Sequence, residues 1–131
     1  MVKIILKKNK NTIICVMENS VSESQVLNGF KKLKVEMEKL KPGFKFLVDY
    51  SLVTGFKPGV EAVVINAMKL TNGMGVGEII RILPDPDMEP GFKILTSQYY
   101  SKSVKSLIFR SLKEATDYLN NKASSEKNAK K

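Results

Sequence analysis

Apolar residues recur along this chain with two alternating periods, and the alternation predicts a fold. "VKIILKK" (2–8) and "NTIICVM" (11–17) are short runs rich in Ile and Val, joined at the polar Lys8–Asn11 junction. Such a pair reads as a β-hairpin, which makes the pairing antiparallel. From Ser22 the period becomes helical: Val26, Phe30, Leu33, Met37 and Leu40 fall on one face, with lysines and glutamates on the others. Ser22 and Gln25 form the S-x-x-Q capping box, Val21 and Val26 are placed for a hydrophobic staple, and Pro42-Gly43 stops the helix.

The remaining chain repeats a strand-then-helix unit. "FKFLVDYS" (44–51) predicts a strand, and residues 58–74 a helix. Pro58 is expected at its first position, with Val60, Val63, Val64, Ala67 and Met68 facing the sheet and Asn72-Gly73 ending it. "GEIIRILP" (77–84) predicts another strand. In residues 84–100 Met88, Phe92, Leu95 and Tyr99 keep helical spacing after a Pro- and Asp-rich turn. Tyr99 is expected to pack and Tyr100 to be exposed. "VKSLIFR" (104–110) predicts the last strand. Ser111 and Glu114 then open a helix with Leu112, Ala115 and Leu119 as its apolar face. The order β-β-α-β-α-β-α-β-α implies an α/β fold. Its five-stranded sheet is mostly parallel with right-handed crossovers, and its N-terminal strand is an antiparallel edge. The domain spans residues 1–120. Residues 121–131 carry almost no apolar side chains and are expected to form a disordered basic tail.

Composition narrows the functions. With 131 residues the chain is one domain, and its 43% hydrophobic and 27% charged content is that of a soluble globular protein. Lysines at 3, 7, 8 and 10 interrupt the N-terminal apolar residues, so no signal-peptide core forms. No apolar run is long enough for a membrane span, and a cytoplasmic location is expected. The net charge is +9, but residues 11–120 hold 14 bases and 12 acids. The excess sits at the two ends, which suits solubility better than a specific nucleic-acid footprint. There is no histidine, which removes imidazole catalysis and His-based metal sites. The single cysteine, Cys15, lies in an apolar run and reads as a small buried hydrophobe.

In sheets of this kind ligands gather beyond the carboxyl ends of the parallel strands. The stretch Asp49–Val60 lies at such an end. "GFKPG" has neither a dinucleotide fingerprint nor a Walker loop, so a structural turn is the better reading. "GMGVG" (73–77) runs from helix to strand, the wrong direction for a phosphate loop, and reads as a helix cap. Asp85, Asp87 and Glu89 lack the EF-hand pattern and read as a solvated loop. No cofactor or metal is expected.

With this order in place, the chain resembles the STAS family (sulfate transporter and anti-sigma factor antagonist) in its stand-alone SpoIIAA-like form, over roughly residues 2–120. The resemblance is carried by "FKFLVDYSLVTGFKPGVEAVVINAMKL", "GEIIRILP" and "SLIFRSLKEATDYL". In the anti-sigma branch the central helix opens on Asp-Ser-Ser-Gly, where a partner kinase phosphorylates a serine. Here Phe56, Lys57 and Pro58 stand where Asp-Ser-Ser would be, and Gly59 matches the motif glycine. The phosphorylatable hydroxyl is absent, and Lys57 carries a positive charge instead.

The resemblance implies a non-enzymatic protein-interaction module of bacterial signalling. Its partner would be a protein such as a kinase or sensor, bound through Asp49, Ser51, Thr54, Phe56, Lys57, Pro58 and Gly59; a homodimer is left open. The alternative is a small apolar, lipid-like ligand, because the winding also resembles that of CRAL-TRIO lipid carriers. Its pocket would be lined by Phe44, Phe46, Phe56, Met68 and Phe92, the same residues that otherwise make core.

Overall fold

The computed structural model describes residues 1–129, and the side chains of residues 1–121. The chain forms β1 (Val2–Lys7), β2 (Thr12–Val21), α1 (Glu23–Met37), β3 (Lys45–Phe56), α2 (Val60–Gly73), β4 (Glu78–Ile82), α3 (Glu89–Tyr99), β5 (Lys105–Phe109) and α4 (Leu112–Ala129). The strands lie in the order β1-β2-β3-β4-β5. β1 pairs antiparallel with β2, and the other neighbours are parallel. This is the expected α/β architecture with its antiparallel N-terminal edge strand.

Strand alternation sorts side chains between two layers. Phe46, Val48 and Tyr50 of β3 join the large core shared with α1, α2 and α3. Leu47, between them, joins a smaller core with Ile80, Ile82 and Ala115 under α4. The capping box of α1 forms as its spacing predicts. Ser22 Oγ accepts the Gln25 N–H at 3.3 Å, and Gln25 Oε1 accepts the Ser22 N–H at 3.0 Å. Val26, Leu33 and Met37 are buried, with Phe30 and Leu40 packed against them.

The structure departs from the sequence reading at several points. β3 does not stop at Ser51; it runs to Phe56, because "SLVTGF" stays extended beside Glu18–Val21 of β2. Two register shifts accompany this: Val16↔Asp49 is followed by Glu18↔Leu52, and Asn19↔Val53 by Ser20↔Gly55. Each inserts one extra residue on β3, which is a β-bulge. At the first, Asp49 Oδ1 accepts the Ser51 N–H at 2.8 Å, a local side-chain bond of the Asx type. Since β4 ends at Ile82↔Asp49, the rest of β3 pairs with β2 alone.

Pro58 is not the first residue of α2. Gly59 caps the helix at φ 91°, a left-handed geometry outside the helix, so Pro58 lies one residue before the cap. Tyr99 packs against the main core as expected, but Tyr100, expected to be exposed, is buried. The chain leaves α3 at Tyr100 in an extended conformation, which turns that ring into the core, where its hydroxyl meets Thr71 Oγ1 at 2.6 Å. Tyr99 is only half-buried. Leu112 is exposed; α4 packs through Ala115, Tyr118 and Leu119 instead. α4 is described over Leu112–Ala129, and Lys130 and Lys131 lie outside the described residues.

Two measurements follow from this packing. Asp49 is buried and its carboxylate satisfies the N–H freed by the bulge. Asp49→Ala is expected to lose about 1–3 kcal/mol in urea unfolding, with Asp49→Asn retaining most of it; equal stability of all three would contradict the assignment. Burial pushes the Cys15 thiol up to about 12. It should therefore react with an aromatic disulfide reagent only as fast as the protein unfolds.

Candidate functional site

The parallel strands end their carboxyl edge with a two-stranded projection built from β2 and β3. Its last rung is the Lys57 N–H donating to the Val21 carbonyl at 2.9 Å. Val21 also leads directly into the Ser22 cap of α1. One backbone bond thus ties the end of β3 to the start of α1. Pro58 and Gly59 then turn the chain into α2.

At this tip two helix starts converge. A Cβ built on Gly59 would collide with the carboxylate of Glu23, the first residue of α1. Gly59 is favoured here by its positive φ, and the turn it makes runs close against the exposed Glu23 side chain. Both helix N-termini present positive dipole ends, and the Glu23 carboxylate lies beside them. Sequence reasoning missed Glu23. Its place in the first turn of α1 was readable, but its approach to Gly59, 36 positions away in sequence, is tertiary.

The seven expected site residues divide into two groups. Thr54, Phe56, Lys57, Pro58 and Gly59 are exposed on the projection and its turn. Asp49 and Ser51 sit back in the sheet, where the Asp49 carboxylate is engaged by the Ser51 N–H. Asp49 is buried and Ser51 is half-buried. Leu52, at 58% exposure, was missed, and it adds to Phe56, at 41%, a second exposed apolar group on the projection. Alternation within a longer strand would have revealed Leu52; ending the strand at Ser51 hid it.

Beneath the tip lies an aromatic column. The Phe56 ring meets Tyr50 edge-on at 6.0 Å, and Tyr50 meets Phe92 at 5.0 Å. The Arg81 guanidinium lies 5.1 Å from the centre of the Phe92 ring and donates from Nη1 to Thr96 Oγ1 at 2.8 Å. Arg81 is 2% exposed, and no ion pair with a carboxylate forms at it among the described residues. Burial pulls its pKa below the usual value, with Tyr50 and Tyr100 opposing that shift. Burial raises both tyrosines above the ordinary phenol value. The cation is stabilised by a ring face and a hydroxyl in place of an anion.

Arg81, Tyr50 and Tyr100 also border a cavity of about 40 Å³, otherwise walled by apolar groups such as Cys15, Phe46 and Met68. Of the five residues expected to line an apolar-ligand pocket, only Phe46 and Met68 do so. Phe44 is buried elsewhere in the core, Phe56 is at the exposed tip, and Phe92 stacks on Tyr50. A space of this size is on the scale of a few waters.

The other sequence features are structural. Gly75 adopts φ 91° after α2, and a Cβ on Gly77 would meet the Gly43 carbonyl at 2.7 Å, so "GMGVG" is a cap and close crossing. Asp85 Oδ1 accepts the Asp87 N–H at 2.9 Å, and Glu89 pairs with Lys93 and Arg110. Among the described residues no group of acidic, Cys or His side chains is arranged to hold a metal, and no helix is long and apolar enough to cross a membrane.

No protein-family model matches the sequence, and no curated protein matches it. Solved structures do. The anti-sigma factor antagonist SpoIIAA in its unphosphorylated form is similar at TM-score 0.65 and 11% identity, over 92% of this chain and 98% of that one. SpoIIAA in its phosphorylated form, described as a Bacillus cell fate determinant, is similar at TM-score 0.65 and 11% identity, over 91% and 99%. An uncharacterised DUF3478-family protein from Shewanella loihica PV-4 is similar at TM-score 0.68 and 12% identity, over 91% and 92%. At such identities the likeness establishes architecture, and it spans nearly the whole of each chain: this protein has the stand-alone SpoIIAA-like, or STAS-type, fold.

Proposed function

We propose that this chain is a non-enzymatic protein-interaction module of the STAS type, acting in bacterial signalling. It would dock a protein partner through the projecting tip of β2 and β3. The observation that supports this reading is the exposed run Phe56-Lys57-Pro58-Gly59 at the head of α2. It couples an apolar ring to a fixed cation and a rigid turn, and it carries no hydroxyl. One of the similar structures is described as an anti-sigma factor antagonist, and SpoIIAA occurs in phosphorylated and unphosphorylated forms. In this chain the tip has Lys57 and a nearby Glu23 carboxylate in place of a modifiable serine. In this reading recognition does not use a phosphoserine at the head of α2.

The apolar-ligand alternative rests on the internal cavity, whose volume of about 40 Å³ favours docking over a lipid-like occupant. Native mass spectrometry tests the alternative: a co-purifying lipid supports it, and a bare chain counts against it.

Lys57 is exposed, so its charge can be reversed without disturbing the core. Lys57→Glu and Phe56→Ser are each expected to weaken capture of the partner from the native cell by about tenfold or more. Recovery of the same partners in the same amounts by wild type and both variants would overturn the assignment of this surface.

A further inference from the structure

The sheet has a second feature suited to recognition, at the edge opposite β1. β5 is the last strand, and its outer side is uncovered by any strand among the described residues. Lys105 donates its N–H to the Gly77 carbonyl at 3.0 Å, and Phe109 accepts the Leu83 N–H at 2.8 Å. In an evenly spaced parallel ladder, residues 105, 107 and 109 then turn their backbone groups toward β4. The N–H and C=O groups of Ser106 and Ile108 consequently point outward. Beside them runs a groove of about 400 Å³ between β5 and α3, lined by Ser106, Ile108, Thr96, Ser97 and Lys93. Ile108 forms apolar floor, since its side chain packs against the main core. An open ladder next to a helix is the geometry that accepts an added strand.

Charge selects the strand. From Ser101 to Arg110 there are three bases, Lys102, Lys105 and Arg110, and no acid. At the groove's upper end Glu89 is shared by Lys93 at 3.0 Å and Arg110 at 2.6 Å, which leaves one positive charge in excess. Two copies of β5 laid edge to edge would bring together two segments that each carry three bases and no acid, which disfavours self-pairing. We infer that the β5 edge and the α3 groove accept an extended, acidic segment of a partner protein as a sixth strand. This surface is distinct from the β2–β3 tip and does not depend on how the tip is used.

The test is amide NMR of the full chain titrated with a short synthetic peptide alternating glutamate and valine. Shifts centred on Ser106 and Ile108 are expected, with both amides becoming protected from exchange. Methylating alternate backbone nitrogens of the peptide should weaken binding by about tenfold or more, because its ladder hydrogen bonds are lost. The matching lysine–valine peptide should not bind. Ser106→Pro removes an outward N–H while leaving the β4 ladder intact, and should weaken binding similarly. Should that variant fold poorly, Lys93→Glu, at a 68% exposed side chain, tests the charge requirement instead. Shifts confined to the β1 edge, equal binding of the methylated or lysine peptide, or no shifts at millimolar peptide would each overturn the proposal. So would shifts at Ser106 and Ile108 that follow protein concentration alone, because that would make a second copy the occupant.

Discussion

The parallel pairing of β2 with β3 continues past the point where every other strand has stopped, and the tip of the molecule depends on that continuation. The β1 edge reaches β2 as far as Glu18, which exchanges two hydrogen bonds with Met1, and β4 reaches β3 only as far as Asp49. Beyond those residues the two strands have only each other, and two bulges bend β3 as it goes. A two-stranded ribbon is marginal by itself. Here its base is anchored by Tyr50 in the core and its end by the Lys57–Val21 bond, which joins it to the cap of α1. The starts of both α1 and α2 are thereby fixed relative to each other.

That arrangement shapes what the tip can do. Apolar surface at Leu52 and Phe56, a cation at Lys57 and a carboxylate at Glu23 are held on a scaffold whose backbone has little freedom. Rigid presentation of a small mixed surface suits docking, because less entropy is lost when the partner binds. The aromatic column extends this rigidity inward from Phe56 through Tyr50 and Phe92 to Arg81. A buried cation without an anionic partner carries a desolvation cost of several kcal/mol. The ring and hydroxyl contacts of Arg81 offset part of it, so the strand order, α3 and the tip are packed as one unit.

Much of this was legible in the sequence because the signals are local. The Ser22–Gln25 box, the Val26-to-Leu40 spacing and the β-α alternation each depend on residues a few positions apart, and each appears in the structure. The position of the candidate stretch was legible, since the end of the central strand and the head of its helix are fixed by topology. What escaped was tertiary. The ending of β3 was misplaced because Gly55 and Thr54 resemble turn residues, whereas pairing with Glu18–Val21 holds them extended. Tyr100 and Tyr99 could not be ranked, because the direction of a ring at a helix end follows from the φ of the exit. The bond by which Asp49 supports the bulge depends on a register shift that the sequence does not display.

Native-state hydrogen exchange across residues 51–57 tests the central claim most directly. If the tip is a paired ribbon, the Lys57 amide, bonded to the Val21 carbonyl, exchanges orders of magnitude more slowly than an open loop would allow, together with the amides of β3 that face β2. Exchange of Lys57 and its β3 neighbours at the rate of an unstructured peptide, while Phe46–Val48 remain protected, would contradict it.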